Sequence, residues 1–358
     1  MPGRARPALP SRPSLLRWYD THRRQLPWRE DPTPFKVLVS ELMLQQTQVD
    51  KVVPYFERFV RRFPDFEHLA AAPLDDVLAL WSGLGYYARA RNLHRAAGLV
   101  VEKHGGALPS TLDALRTFPG IGPYTAGAVL SIAFAQQVPL VDGNVERVLA
   151  RWLALDGDPR AAPRKKIILD LASKLVVGPR PGDLNQALME LGALVCRPLA
   201  PDCSACPWRR DCAARRQGLQ DAIPPPRQRV PRQPLRIVMA VVWQGDSLLF
   251  VQRPSSGLFA GLWELPSAEV SAKAPRCTIA CELTQALGTQ VTLGPKLGSV
   301  ERTLSHRDLR LEAYAVDVLA VPNLNRPQRF VRRANWSRLG LATALRELLK
   351  VLEHTAGA

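Results

Sequence analysis

Residues 117–135 read TFPGIGPYTAGAVLSIAFA, in which Pro119-Gly120-Ile121-Gly122 separates a short helical segment from a second, apolar helix opened by Pro123. Glycine lets the chain turn tightly and brings backbone N–H groups close to a ligand. Proline in a first helical turn forfeits no hydrogen bond, because its N–H would be unpaired there anyway. The pattern predicts a helix-hairpin-helix in which Gly120 and Gly122 face a phosphate at the positive end of the second helix. Such a hairpin grips a nucleic-acid backbone without reading bases. Taken alone, an ordinary turn between helices is the alternative.

Outward from this hairpin the helical spacing continues. Residues 36–49, 74–81, 88–104 and 111–118 upstream, and 145–155 downstream, carry apolar side chains three and four apart, punctuated by Gly and Pro. Residues 215–234, RRQGLQDAIPPPRQRVPRQP, lose that period and read as a semi-rigid, basic linker that packs no core. Beyond it, residues 235–243 and 247–253 are β-rich runs around a Gln244-Gly245-Asp246 turn. Residues 297–303 and 310–319 repeat the pattern, and 341–352 form an amphipathic helix. The expected fold is therefore an all-helical half followed by an α+β domain, with no internal repeat. The first fourteen residues, rich in Pro and Arg, are expected to be disordered.

The chain has 358 residues and a formal net charge of +16, which calls for a polyanionic partner. Nucleic acid fits better than a membrane surface. No stretch approaches the ~20 apolar residues of a spanning helix, and the basic residues are dispersed. A soluble, intracellular protein of the cytoplasm, associated with the nucleoid and monomeric, is expected.

Four of the six cysteines, Cys196, Cys203, Cys206 and Cys212, lie in one compact loop with Pro198, Pro201 and Pro207 between them. One Cys-x-x-Cys knuckle with single thiols on either side suits an iron-sulfur cluster. Structural zinc more often pairs two such knuckles, and disulfides call for an oxidising compartment to which nothing else points. Cys277 and Cys281 are left over. Arg197, Arg209, Arg210, Arg215 and Arg216 around the loop would line a phosphate track.

Two carboxylates draw notice. Asp142 in VPLVDGNV precedes a helix, and a plain N-cap explains it as well as chemistry does. Glu41 in VLVSELMLQ has apolar neighbours on both sides along a helix, so its carboxyl faces partial desolvation. The alternative is a solvated stripe with Gln45 and Gln48.

Together SELMLQQTQV, GLGYYARARNLHRAA, FPGIGPYTAGAVLS, VDGNVERVLAR and the cysteine loop resemble the adenine DNA glycosylases of the MutY type, in the helix-hairpin-helix glycosylase superfamily that includes endonuclease III. The likeness runs from about residue 15 to 212, and the region beyond the linker is similar, more weakly, to the family's Nudix-like C-terminal domain. The resemblance implies residues 1–25 with 137–214 as a domain holding a 4Fe-4S cluster on the four cysteines. Residues 26–136 would be a helical barrel domain, 215–234 a linker, and 235–358 an 8-oxoguanine recognition domain.

By the same resemblance, Glu41 protonates departing adenine and Asp142, with Asn144 and Tyr124 beside it, faces the sugar. Trp28, Arg29, Leu44 and Gln186 hold the base, Gln46 and Tyr86 wedge into the duplex, and Ser305 and His306 read the base opposite. At Tyr124, lyase members carry a lysine, and tyrosine forms no Schiff base, so a monofunctional enzyme is implied. Glu146, where some relatives carry lysine, and Leu304, where the family has phenylalanine, are departures. The stretch CELTQALG lacks the glutamate-rich helix of Nudix hydrolases, which makes a recognition module the expected role. A glycosylase for another base and a non-catalytic DNA-binding module are the competing functions.

Overall fold

The computed structural model describes residues 9–226, 231–320, 322 and 324–355. Of the N-terminal residues expected to be disordered, 1–8 lie outside the described residues, as do 227–230 of the expected linker. The chain divides into two compact units, Met1–Ala70 with Arg95–Gln228, and Ala71–His94 with Arg229–Ala358.

The first unit is helical. It contains α1 (Arg12–His22), α2 (Pro27–Glu30), α3 (Pro34–Leu44), α4 (Val49–Arg62) and most of α5 (Phe66–Ala71). After α6 (Leu74–Trp81) and α7 (Ala88–His104), it resumes with α8 (Leu112–Arg116), α9 (Pro123–Ile132), α10 (Gly143–Leu153), α11 (Ala162–Val176), α12 (Pro181–Leu194) and α13 (Ala213–Arg216). Its core joins Leu15, Leu16, Trp18 and Tyr19 of α1 to Val145, Val148 and Leu149 of α10 and to Leu184, Leu188 and Leu191 of α12.

Three expectations change here. Residues 9–14 are not a loose tail, because Ser11 caps α1 and the Arg12 Nε–H donates to Leu175 O at 2.8 Å. The start of the linker packs, with Ile223 buried in the core and its carbonyl accepting from Arg151 Nε at 2.7 Å. Helical spacing across residues 36–49 is broken after Leu44, where Gln46 takes a left-handed φ of 57° before α4 begins. A side chain with a Cβ adopts that conformation only where its surroundings hold it there.

The second unit is built on β1 (Gln233–Val241), β2 (Trp243–Gln244), β3 (Ser247–Gln252), β4 (Trp263–Glu264), β5 (Ser267–Val270), α14 (Arg276–Leu287), β6 (Val291–Thr303), β7 (Arg307–Val318), β8 (Gln328–Arg332), a 3-10 turn (Arg333–Arg338) and α15 (Thr343–Thr355). One sheet has the order β5-β1-β7-β6, with β1 and β7 parallel. The other runs β2-β3-β4, with β8 also on β3.

Alternate residues of β1 serve different cores: Ile237, Met239 and Val241 pack with α15, and Val238 and Ala240, with Val242 just beyond the strand, pack with α14. Covered on both faces, β1 reads as a nearly continuous apolar run. The hairpin expected between residues 235–243 and 247–253 is confined to Trp243–Gln244 on Ser247–Leu248. Both edges of β1 are already taken by β5 and β7, so β3 has no place beside it.

Residues 71–94 are fastened to this unit by polar bonds. Ser82 Oγ and Tyr87 Oη donate to Leu341 O at 2.6 and 2.9 Å, Trp263 Nε1 donates to Asp75 at 3.1 Å, and Arg329 pairs with Asp75 at 3.0 Å. The Arg329 guanidinium also stacks 3.9 Å from the Trp263 ring centroid. Among the described residues no helix is long and apolar enough to cross a membrane.

Candidate active site

Thr33 caps α3 by accepting from Lys36 N–H, and Pro34 occupies the first turn, so the helix starts where its sequence demands. Seven residues on, Glu41 is 4% exposed, which removes the solvated-stripe alternative. Gly122 starts α9 and places Tyr124 in its first turn, where its Oη donates to Glu41 Oε2 at 2.6 Å. Asp142 caps α10: Oδ1 accepts from Val145 N–H at 2.7 Å and Oδ2 from Asn144 Nδ2 at 2.9 Å. Its capping role and its place in the site are thus the same fact, since the cap aims the carboxylate into the cleft.

Glu41, Tyr124, Asp142, Asn144, Trp28, Arg29, Leu44 and Gln186 line one cleft of about 860 Å³, counting the space at its mouth. Burial raises Glu41 to about 7, against the Tyr124 hydrogen bond, with Asp142 adding repulsion and Arg29 opposing. Burial also raises Asp142, against the pull of Val145 N–H, Asn144 and Arg147. The two carboxylates therefore share the direction of their shift and differ in their support: Val145 N–H, Asn144 and Arg147 for Asp142, the Tyr124 phenol and Arg29 for Glu41.

Sequence reasoning missed the group that holds Arg29. Glu190, 1% exposed, accepts from Arg29 Nη2 at 3.1 Å and from Arg24 Nε and Nη2 at 2.9 Å. Although burial raises this carboxylate, the Arg24 and Arg29 bonds outweigh it and hold it at about 2. The signal was present: Gln186 and Glu190 stand four apart on α12 beside the core stripe Leu184, Leu188 and Leu191, so a carboxylate there had to face partners.

Arg147 was also missed. Its Nη2 donates to Asn144 Oδ1 at 2.8 Å and Gly192 O at 2.9 Å, and its Nε donates to Cys196 O at 2.8 Å, linking the Asp142 support to the cysteine loop. Arg151, 2% exposed, donates to Cys196 Sγ at 3.3 Å and to the carbonyls of Arg197 and Pro198.

All four cysteines of that loop line one small cavity with Trp208 and Leu191. Among the described residues, no group of three or more His, Cys, Asp or Glu side chains is arranged to hold a single metal ion. Four thiols around one space are a donor set that an iron-sulfur cluster can use. Cys277 and Cys281 are exposed on α14.

Gly120 (φ 82°) and Gly122 are exposed in the turn between α8 and α9, and a Cβ at Gly122 would meet nothing within 4 Å, leaving room for a phosphate. Gln46 is exposed at the turn after α3.

In the second unit, Gly83, Gly85 and Tyr86 all take positive φ, and Tyr86 stands 46% exposed. Its Oη lies 2.6 Å from Ser305 Oγ, and the Arg89 guanidinium lies 5.3 Å from its ring centroid. Ser305 and His306 form the exposed turn between β6 and β7, closed by Leu304 N–H on Arg307 O at 2.8 Å. Glu146 lines a separate polar cavity with Asp142, Arg147, Asp158 and Arg160.

Comparison with known proteins agrees with this picture. The HhH-GPD superfamily of base excision DNA repair proteins matches residues 39–174, and the NUDIX domain matches residues 238–351. The adenine DNA glycosylase of Homo sapiens is 37% identical, covering 96% of this chain and 74% of its own length. That of Schizosaccharomyces pombe is 37% identical, covering 72% of this chain and 69% of its own. The structure of a thermostable thymine-DNA glycosylase is similar with a TM-score of 0.54 and 28% identity, over 57% of this chain and 95% of that one.

Proposed function

The chain belongs to the adenine DNA glycosylase family, and on that premise we propose that it hydrolyses the N-glycosidic bond of adenine paired with 8-oxoguanine, or with guanine, in duplex DNA. An abasic site is left. The observation that carries this is the pairing of buried Glu41 with the capped Asp142 in one cleft. Breaking such a bond makes the sugar resemble an oxocarbenium ion, so the base must leave uncharged and the sugar must meet a negative neighbour.

Glu41, at about 7, holds a proton in a large share of molecules near neutral pH and delivers it to a ring nitrogen of adenine. Asp142, oriented by Val145 N–H and Asn144, faces the sugar as an anion. Tyr124 steadies Glu41 after it has lost its proton and offers no amine for a Schiff base, which supports a monofunctional enzyme.

The base reaches the cleft by rotation out of the stack, with Gln46 and Tyr86 filling the gap. Trp28, whose ring meets Phe56 edge-on at 5.3 Å, and Leu44 form apolar walls, while Arg29 and Gln186 bond base edges. Gly120 and Gly122 hold the backbone. Ser305 and His306 read the opposite base, because 8-oxoguanine carries a donor at N7 where guanine has an acceptor, and a hydroxyl can tell them apart. The Tyr86–Ser305 hydrogen bond supports that assignment by setting the hydroxyl in place.

We infer further that Cys196, Cys203, Cys206 and Cys212 hold a 4Fe-4S cluster, supported by their common cavity. Bound there, the cluster would fix the loop's shape and take no part in bond breaking, leaving exposed Arg197, Arg209, Arg210, Arg215 and Arg216 for phosphates. The core shared by α1, α10 and α12 supports residues 1–25 and 137–214 as one cluster-bearing domain beside a barrel domain at 26–136.

The test is release of free adenine from duplexes carrying A opposite 8-oxoguanine, G, C or T. The proposal expects fastest release opposite 8-oxoguanine. No release, or equal release from all four, refutes it.

A further inference from the structure

We propose that the base cleft has a rear exit, through which excised adenine leaves while the abasic strand still covers the mouth. This rests on the cleft being the adenine site. A second cavity, about 580 Å³ with its opening, is lined by Tyr19, Arg23, Pro32, Ala135 and Asp183, among others. It shares Arg29, Ile132 and Gln186 with the first cleft, whereas Glu41 and Asp142 line only the first. Those three shared side chains form the partition, and they are held very unequally.

Arg29 is pinned by Glu190 and by Arg24 O at 3.0 Å. Ile132 ends α9, which is locked to α12 so closely that a Cβ on Gly182 would come 2.5 Å from Ser131 O. The Gln186 side chain, half-buried, makes no hydrogen bond to any described residue. Swinging it between rotamers therefore breaks no bond of the protein. A bound adenine would engage the amide and keep the partition shut. Once excised, the base is neutral and carries no charge across the opening, while the abasic sugar remains beside Asp142 and blocks retreat.

The far side suits a planar heterocycle. The Arg29 and Arg23 guanidinium groups, 5.7 and 6.0 Å from the centroid of the buried Tyr19 ring, are flat cations on which a purine can stack.

Arg23→Trp and Pro32→Trp alter exposed residues that line only the second cavity, and each would obstruct it. With excess enzyme and a duplex carrying radiolabelled adenine opposite 8-oxoguanine, two rates are measured: bond cleavage by alkaline strand scission, and appearance of free adenine through a filter that retains DNA. Cleavage within about twofold of wild type shows the variants folded and competent, and adenine release about tenfold slower in both supports the exit. Release at the wild-type rate in both, with cleavage intact, overturns it. If wild type excises no adenine at all, the functional proposal itself falls and the exit with it, so the two failures are distinct.

Discussion

Replacing Glu41 by Gln tests the burial argument through stability rather than rate. The carboxyl moves from 4.5 when exposed to about 7 in the fold, chiefly through burial. A raised folded-state value means that the folded protein binds the proton more tightly. The stabilisation is complete below about 4.5 and is lost as pH climbs through about 7. Integrating the two titrations between pH 5 and pH 8 gives a loss of about 2–3 kcal/mol in wild type. Glutamine does not titrate, so the variant escapes that loss. Its stability relative to wild type should rise by about 2–3 kcal/mol from pH 5 to pH 8, seen in denaturant unfolding of the helical unit by tryptophan fluorescence. The same variant should lose ~10²–10⁴ in single-turnover excision, the usual contribution of a positioned acid. A relative stability that changes by less than about 0.5 kcal/mol over this range would mean that Glu41 titrates as an exposed residue, and its assignment as the acid would fail.

Tyr124→Phe removes a bond that favours ionised Glu41, so the alkaline limb of the excision rate should move to higher pH; a limb that stays put refutes the bond's role. Gly192→Ala puts a Cβ 2.6 Å from Asn144 Cβ, and should cost ~1–3 kcal/mol of stability and displace the side chain that steadies Asp142. Excision should then fall more than DNA affinity, and an equal loss of both would point elsewhere. Ser305→Ala with His306→Ala should lower the ratio of excision opposite 8-oxoguanine to that opposite G by about tenfold, about 1.4 kcal/mol of discrimination, whereas an unchanged ratio removes these residues from base reading.

Local chemistry made much of the fold legible. Helices α6 and α7 fall where the apolar spacing set them, and α8 and α9 lie within one to three residues of their expected ends, because caps and glycine turns act over a few residues. Where the spacing misled, at 36–49, the apolar period runs on through a turn that only the left-handed Gln46 reveals. The cysteine loop was equally visible, since ligand spacing is written in the chain.

What the residues alone determined is the inventory: a helical half with a glycine hairpin, a four-thiol loop, an α+β half, and two carboxylates placed among apolar neighbours or before a helix. Tertiary structure decided their chemistry. Glu41 reaches about 7 because other elements pack over its helix and bury it, with Tyr124 opposing the shift and Asp142 adding to it, and Arg29 is aimed by a glutamate 161 residues away. Tyr86 meets Ser305 across 219 residues, and Ile223 leaves its polar linker for the core. Desolvation and ion pairing depend on what surrounds a group in space, and a one-dimensional pattern records only what stands next to it along the chain.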